Sequence, residues 1–169
     1  MDSPLSSDVA LLILRLGLAA VFAFHGVTKL AGKPGPRATA KFFEAIGMRP
    51  GRRYATLAAL TELAVGAGLA LGLATALACA AIVSLMVVAT LKVTGRHGFP
   101  AERGGWEYNG VLALVAIVLA VAGPGRWSVD HALGAPGAGA LGASIAIVVG
   151  AGAALLMLAV TRSPRADRS

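Results

Sequence analysis

Long apolar stretches separated by short polar clusters dominate the chain. The first stretch runs from Val9 to Leu30 and is interrupted by Arg15, His25 and Lys29. A helix of about 20 apolar residues crosses a hydrocarbon core roughly 30 Å thick, so this stretch predicts a membrane span. It is too long and too charged in its middle for a secretory leader, and it lacks the basic start and small-residue cleavage site of one.

A second apolar segment extends over forty residues, from Tyr54 to Val93, and its only charged residues are Glu62 and Lys92. Forty residues are enough for two spans. We therefore predict a hairpin that turns near 72–75, where glycine and a small polar residue permit a tight reversal.

Two further apolar stretches complete the pattern. One covers about 106–122 and stops at Gly123-Pro124-Gly125, a strong helix terminator, and the other covers about 139–160 without a charge. Helices are the default spanning element because lipid leaves no backbone group unpaired. The sequence predicts an all-α polytopic bundle of five spans, at about 9–30, 54–73, 75–93, 106–122 and 139–160.

The basic residues of the chain predict its orientation. Seven lie between Lys29 and Arg53, three in the loop before the fourth span and three in the tail, all on one side. Arg126 lies on the other side and Arg15 lies within the first span. Lys and Arg accumulate on the cytoplasmic face, so we expect the N-terminus outside and the C-terminus in the cytoplasm. The net charge of +7 then indicates topology and contact with anionic lipid, with no nucleic-acid partner.

The composition narrows the class of protein further. Apolar residues make up 57% of the chain and charged residues 14%, whereas a soluble domain has about 25% charged residues. The lone Cys79 excludes a disulfide framework and any site built from several cysteines. No set of His, Cys and carboxylate residues has the spacing of a zinc or iron site, so we expect no metal.

Two charges within the predicted spans suggest a specific contact. Arg15 lies six residues into the first span and Glu62 eight residues into the second, which puts their α-carbons roughly 9 Å apart in depth. Small residues recur every four positions around both charges, as at helix–helix contacts in lipid. We therefore predict an Arg15–Glu62 ion pair inside the bundle, with His25 at the depth of Glu62.

This cluster has two interpretations. The pair either fixes helix register, as buried ion pairs can, or belongs to a polar pocket. In the pocket, Glu62 and His25 would exchange protons while Arg15 held an anionic or quinone-like oxygen. Glu107, Tyr108 and Asn109 open the fourth span. They form either an ordinary interfacial helix start or the rim of that pocket.

Two other segments have patterns of their own. Residues 37–46 predict either a short amphipathic helix with Phe42, Phe43 and Ile46 towards lipid, ending at Gly47, or an ordered loop of no special role. The last span carries a small-residue stripe that predicts a packing face, for this bundle, a partner or a second copy: Ala138, Gly142, Ala146, Gly150 and Ala154.

Several short sequence motifs, taken together, resemble those of the DoxX family of small bacterial membrane proteins. The resemblance covers about residues 9–130. The motifs are Arg15-Leu-Gly-Leu, Phe24-His25-Gly26-x-x-Lys29-Leu30, Phe42-Phe43-x-x-Ile46-Gly47, Glu62-x-x-x-Gly66, His97-Gly98-Phe99, Glu107-Tyr108-Asn109 and the segment Gly123–Asp130. The resemblance implies a four-helix membrane domain at 1–133. Residues 134–169 then add a fifth span and a basic cytoplasmic tail. We expect Gly123–Asp130 to be a rigid turn in which Asp130 compensates Arg126.

The resemblance also implies association with redox complexes. Relatives include the membrane subunit of thiosulfate:quinone oxidoreductase and an actinobacterial protein that acts with a sulfurtransferase and a superoxide dismutase against oxidative stress. We expect a multi-pass protein of the bacterial plasma membrane that anchors redox partners, forms homo-oligomers and is at most a non-autonomous subunit of a quinone-linked oxidoreductase. A quinone would contact Arg15, His25, Glu62, Glu107, Tyr108 and Asn109. The alternatives are a proton or solute transporter that uses Arg15, His25 and Glu62, and a purely structural scaffold.

Overall fold

The computed structural model of the protein describes residues 4–33, 35–135 and 138–161, and the regular structure of these residues is entirely helical. The basic tail predicted after the last span lies outside them. The helices are α1 (Pro4–Leu30), α2 (Gly35–Ala45), α3 (Gly51–Leu71), α4 (Thr75–Ala89), α5 (Glu107–Ala122), α6 (Val129–Ala132), α7 (Gly139–Ser144) and α8 (Gly150–Val160). A π-helical turn, Thr90–Thr94, and a 3-10 turn, Gly95–His97, continue α4, and a second π-helical turn, Ile145–Val149, joins α7 to α8.

The described residues include four helical segments that are long and apolar enough to cross a membrane: Leu5–Leu30, Gly51–Leu71, Thr75–His97 and Gly139–Val160. Helix α5 is apolar but has 16 residues, which is about 24 Å at 1.5 Å per residue and less than the hydrocarbon core. The all-α class is confirmed. The fifth span and the side on which each terminus lies stay predictions.

The chain reverses at Gly72, close to where the sequence predicts the hairpin. Gly72 ends α3 with φ 65, a left-handed conformation that glycine adopts without strain, and α4 begins at Thr75. We call the end of the bundle that contains Gly72 the turn end. The opposite end, where α1 finishes at Leu30 and α3 begins at Gly51, we call the basic end.

Helices α1, α3, α4 and α5 pack around one apolar core, and α8 packs on the outside of α4. The core takes its largest buried side chains from all four helices: Leu18, Phe22, Val65, Leu69, Ile82, Leu112 and Leu119. The free thiol Cys79 is fully buried among them. The first four predicted spans therefore form a bundle with a shared core.

Helices α1 and α3 approach each other at backbone distance through small residues. A Cβ built on Gly66 would lie 3.1 Å from the Ala19 carbonyl oxygen, and one on Gly26 would lie 2.9 Å from that of Ala59. The contact face predicted from the small-residue spacing is confirmed. It fixes the register in which the charged residues of α1 meet those of α3.

The stripe of the last span packs within the chain itself. A Cβ on Gly150 would lie 2.7 Å from the carbonyl oxygen of Ala80 on α4. Four members of the stripe are buried: Gly142, Ala146, Gly150 and Ala154. Of the uses left open by the sequence, the structure shows packing on the chain's own bundle.

Candidate functional site at the basic end

Glu62 forms the central polar contact of the basic end. Its carboxylate accepts hydrogen bonds from the Lys29 ammonium at 2.7 Å on Oε1 and 2.6 Å on Oε2. The Glu62 side chain is 9% exposed and that of Lys29 is 22% exposed. A charge from α1 therefore neutralises the buried carboxylate of α3.

The predicted Arg15–Glu62 ion pair is wrong. Arg15 lies at the turn end, where its Nη2 donates to the Trp127 carbonyl at 2.5 Å, and its Nη1 occupies the space that a Cβ on Gly72 would need. Gly72 is ten residues beyond Glu62, which is about 15 Å along a helix. The register explains the error, because Gly66 packs against Ala19 and Ala23. That contact sets Arg15 level with the end of α3, and Glu62 faces the other end of α1.

A cavity of about 760 Å³ opens beside the Lys29–Glu62 pair. It lies between α1, α2 and α3 on one side and α4 and α8 on the other. Its walls are mostly apolar and include Phe43, Ile46, Leu57, Leu85, Met86 and Met157, while its polar wall residues include His25, Lys29, Thr61, Glu62, Ser84, Lys92 and Asn109. Small-molecule sites have this volume range and this apolar lining with a few convergent polar groups.

Helix α2 closes part of this cavity. The short amphipathic helix predicted at 37–46 is present as Gly35–Ala45, and Gly47 ends it with φ 83. Its side chains Phe42 and Phe43, with the following Ile46, line the cavity. The apolar face predicted to meet lipid forms a wall of the cavity, and the alternative of an ordered loop in place of the helix is wrong.

His25 and Glu62 line the same cavity, as the depth estimate predicts. His25 lies on the exposed side of α1, and its ring packs edge-on against Phe24 with 5.9 Å between centroids. The described residues thus place imidazole, carboxylate and ammonium groups in one cavity wall. Proton exchange between Glu62 and His25 stays a prediction.

Of the three residues of α5 that were predicted to form the rim of the pocket, only one lines the cavity. Asn109 is buried and lines the cavity, and its Nδ2 donates to the hydroxyls of Thr90 at 3.3 Å and Thr94 at 3.0 Å. Glu107 instead accepts a hydrogen bond from the Ala101 amide at 2.9 Å, which closes the preceding loop. Tyr108 is half exposed and lies outside the cavity lining. The structure therefore brings Glu62, His25 and Asn109 together, and leaves Arg15, Glu107 and Tyr108 elsewhere.

Two lysines of the cavity lining, Lys29 and Lys92, are absent from the set of site residues predicted from the sequence. Lys92 lines the cavity from the π-helical turn, and its Nζ donates to the Thr161 carbonyl at 3.3 Å, at the end of α8. A signal was present, because Lys92 shares the forty-residue apolar segment with Glu62 alone. Both lysines also fit the expected excess of basic residues on the cytoplasmic side, and that pattern alone does not indicate a position in the site.

The turn end is held by two aspartates. Asp130 accepts hydrogen bonds from the amides of Ala74 at 2.7 Å and Thr75 at 2.8 Å, which caps the start of α4. Arg126 pairs with Asp8, with 2.8 Å from Nε to Oδ2. The expectation that Asp130 compensates Arg126 is therefore wrong. Within the described ranges, no group of three or more His, Cys, Asp and Glu residues could hold a metal ion.

The DoxX family model matches residues 10–95, which is just over half of the chain. The chain belongs to the DoxX family. No curated protein and no solved structure matches it significantly. In this DoxX protein the matched segment contains Lys29, Glu62 and Lys92, whereas α5 and α8 lie beyond it.

Proposed function

We propose that this DoxX protein is an integral membrane subunit of a redox complex that responds to oxidative stress, and that it binds a quinone in the basic-end cavity. The supporting observation is the cavity itself, an apolar space of about 760 Å³ with the Lys29–Glu62 pair in its wall. Under this proposal the protein anchors its partners at the bacterial plasma membrane.

The chemistry of the lining suits a quinone. A quinone has a flat apolar ring, an apolar tail and carbonyl oxygens that accept hydrogen bonds. The Lys29 ammonium has three N–H donors. Two of them donate to Glu62, which leaves the third to donate to a quinone oxygen. Quinone reduction takes up protons as well as electrons, and the proposal assigns to Glu62 and His25 the relay of these protons from water.

The proposal assigns the electron donor to a partner protein. The described residues offer no cluster of metal ligands, and the only cysteine is buried in the apolar core. The activity would then belong to a complex, and the chain would be a non-autonomous subunit. Exposed basic residues of the basic end, including Lys41, Arg52 and Arg96, would provide the anchoring surface.

The test is the quinone content of the protein extracted in a mild detergent. Native mass spectrometry would report bound partners, and organic extraction followed by chromatography would quantify quinone. Ser84→Trp fills the cavity, because Ser84 lines it, whereas Val118→Trp introduces the same side chain at a position that is 53% exposed and outside the lining. We expect the wild type and Val118→Trp to retain quinone and Ser84→Trp to lose most of it.

Two results would overturn the proposal. One is a wild-type protein with neither quinone nor a redox partner, which would support the scaffold hypothesis. The other is equal retention in Ser84→Trp and Val118→Trp, because a quinone bound outside the cavity would not respond to its volume.

A further inference from the structure

Lys92 is a cation of the cavity wall, and among the described residues it has no carboxylate partner. The described ranges contain two ion pairs, Lys29–Glu62 and Arg126–Asp8. Within these ranges Lys92 donates to a backbone carbonyl, that of Thr161. With His25 counted as neutral, the charges of Lys29 and Glu62 cancel and the lining keeps one positive charge.

The local backbone structure places Lys92 in the cavity wall. A π-helical turn, Thr90–Thr94, carries the lysine, and such turns recur at functional sites. Three consecutive residues of the turn line the cavity: Lys92, Val93 and Thr94. Asn109 holds the turn through its hydrogen bonds to Thr90 and Thr94. Lys92 therefore belongs to a wall segment that hydrogen bonds hold in place.

The partial burial of Lys92 affects the free energy with which a ligand binds in the cavity. A half-buried ammonium between apolar side chains is poorly solvated, and a carbonyl oxygen supplies only one partner for its three donors. Hydrogen bonds between ionised partners are roughly twice as strong as those between neutral ones. A ligand that brings a negative oxygen to Lys92 therefore gains more than a neutral ligand of the same shape.

We infer that Lys92 makes the cavity selective for a quinone whose ring carries an ionised hydroxyl group. The inference rests on the proposed function, because it takes the cavity as a quinone site, and it adds the charge state of the preferred ligand. Lys92 is the residue that determines this specificity, whereas the Lys29–Glu62 pair forms a wall of no net charge.

The test compares two probes with the same tail, a neutral 2-alkyl-1,4-naphthoquinone and its 3-hydroxy derivative, which is an anion at neutral pH. The full chain would be placed in nanodiscs of zwitterionic lipid and Kd measured by calorimetry. We expect the wild type to bind the anion about tenfold more tightly. Lys92→Gln should bind both probes equally, and Lys92→Arg should retain the preference.

Arg96→Gln is the matched control, because this exposed cation lies one turn away and outside the lining. Equal binding of the two probes by the wild type would overturn the inference and leave the proposed function standing, and so would a preference that persists in Lys92→Gln. Binding of neither probe would overturn the proposed function itself. If Lys92→Gln does not fold, Lys92→Met, which keeps the apolar stem, takes its place, and a preference that persists in Lys92→Met overturns the inference.

Discussion

Removing the positive partner of Glu62 should destabilise the bundle. In Lys29→Met the apolar stem is kept, but a carboxylate that is 9% exposed loses the ammonium 2.6 Å away. Breaking a buried ion pair costs about 3–5 kcal/mol. The cavity beside Glu62 and the 22% exposure of Lys29 give water some access, so we expect about 2–3 kcal/mol. A Tm loss of about 2–4 °C per kcal/mol then predicts a decrease of roughly 5–10 °C.

The double variant Lys29→Met/Glu62→Met distinguishes an ion pair from two independent contributions. Replacing both members of a buried pair by apolar residues is often neutral or stabilising. We therefore expect the double variant to unfold within about 1 kcal/mol of the wild type, which makes it more stable than Lys29→Met. The coupling free energy should be about 2 kcal/mol or more, as for residues in direct contact.

The assay is reversible unfolding in detergent micelles, followed by the fluorescence of Trp106 and Trp127. Arg15→Met with Glu62→Met provides the control cycle, since Arg15 lies beside Gly72, ten residues beyond Glu62. Their effects should add within about 0.5 kcal/mol. Additive effects of Lys29→Met and Glu62→Met, or strong coupling in the Arg15 cycle, would refute the assignment of the pair.

Two glycine comparisons test the turn end and the outer helix by the same unfolding measurement. Gly72→Ala should destabilise the protein by well over the roughly 1–2 kcal/mol that a left-handed alanine costs, because its Cβ collides with Arg15 and lies 2.5 Å from the Ser128 Cβ. Gly134→Ala, with φ 62 and open space, should show only that backbone cost. Gly150→Ala should displace α8 from Ala80 and lower stability, whereas Gly152→Ala has nothing within 4 Å and should gain about 0.5–1 kcal/mol. Equal shifts within either pair would contradict the packing described.

The helix positions could be predicted from the sequence because the bilayer fixes their length and glycine marks their ends. The prediction of 139–160 for the last span coincides with the helical segment Gly139–Val160, and the predicted reversal occurs at Gly72. The start of α1 was wrong by five residues. Helix α1 begins at Pro4, because the polar residues Ser6, Ser7 and Asp8 extend the helix beyond its apolar stretch.

The partner of Glu62 could not be predicted because depth along each span does not determine register between spans. Counting residues from the apolar boundary sets Arg15 and Glu62 at similar depths only if α1 and α3 begin at the two membrane surfaces. The close contact of Gly66 with Ala19 and Ala23 instead sets the register. Lys29 then reaches Glu62 with a long flexible stem, as interfacial lysines can.

The cavity could not be predicted from the sequence, because small residues have two opposite effects between helices. They either let two helices pack closely or leave an unfilled space. At Gly66 and Gly26 the absence of a side chain lets α1 and α3 touch. At Ala58, Ala81 and Ala153 short side chains leave volume instead, because these positions line the cavity beneath α2 and beside α8. The arrangement of the surrounding helices decides which effect occurs. That arrangement brings three charges from separate spans, Lys29, Glu62 and Lys92, to one apolar space, and it explains why the candidate site differs from the cluster that helix depth alone predicts.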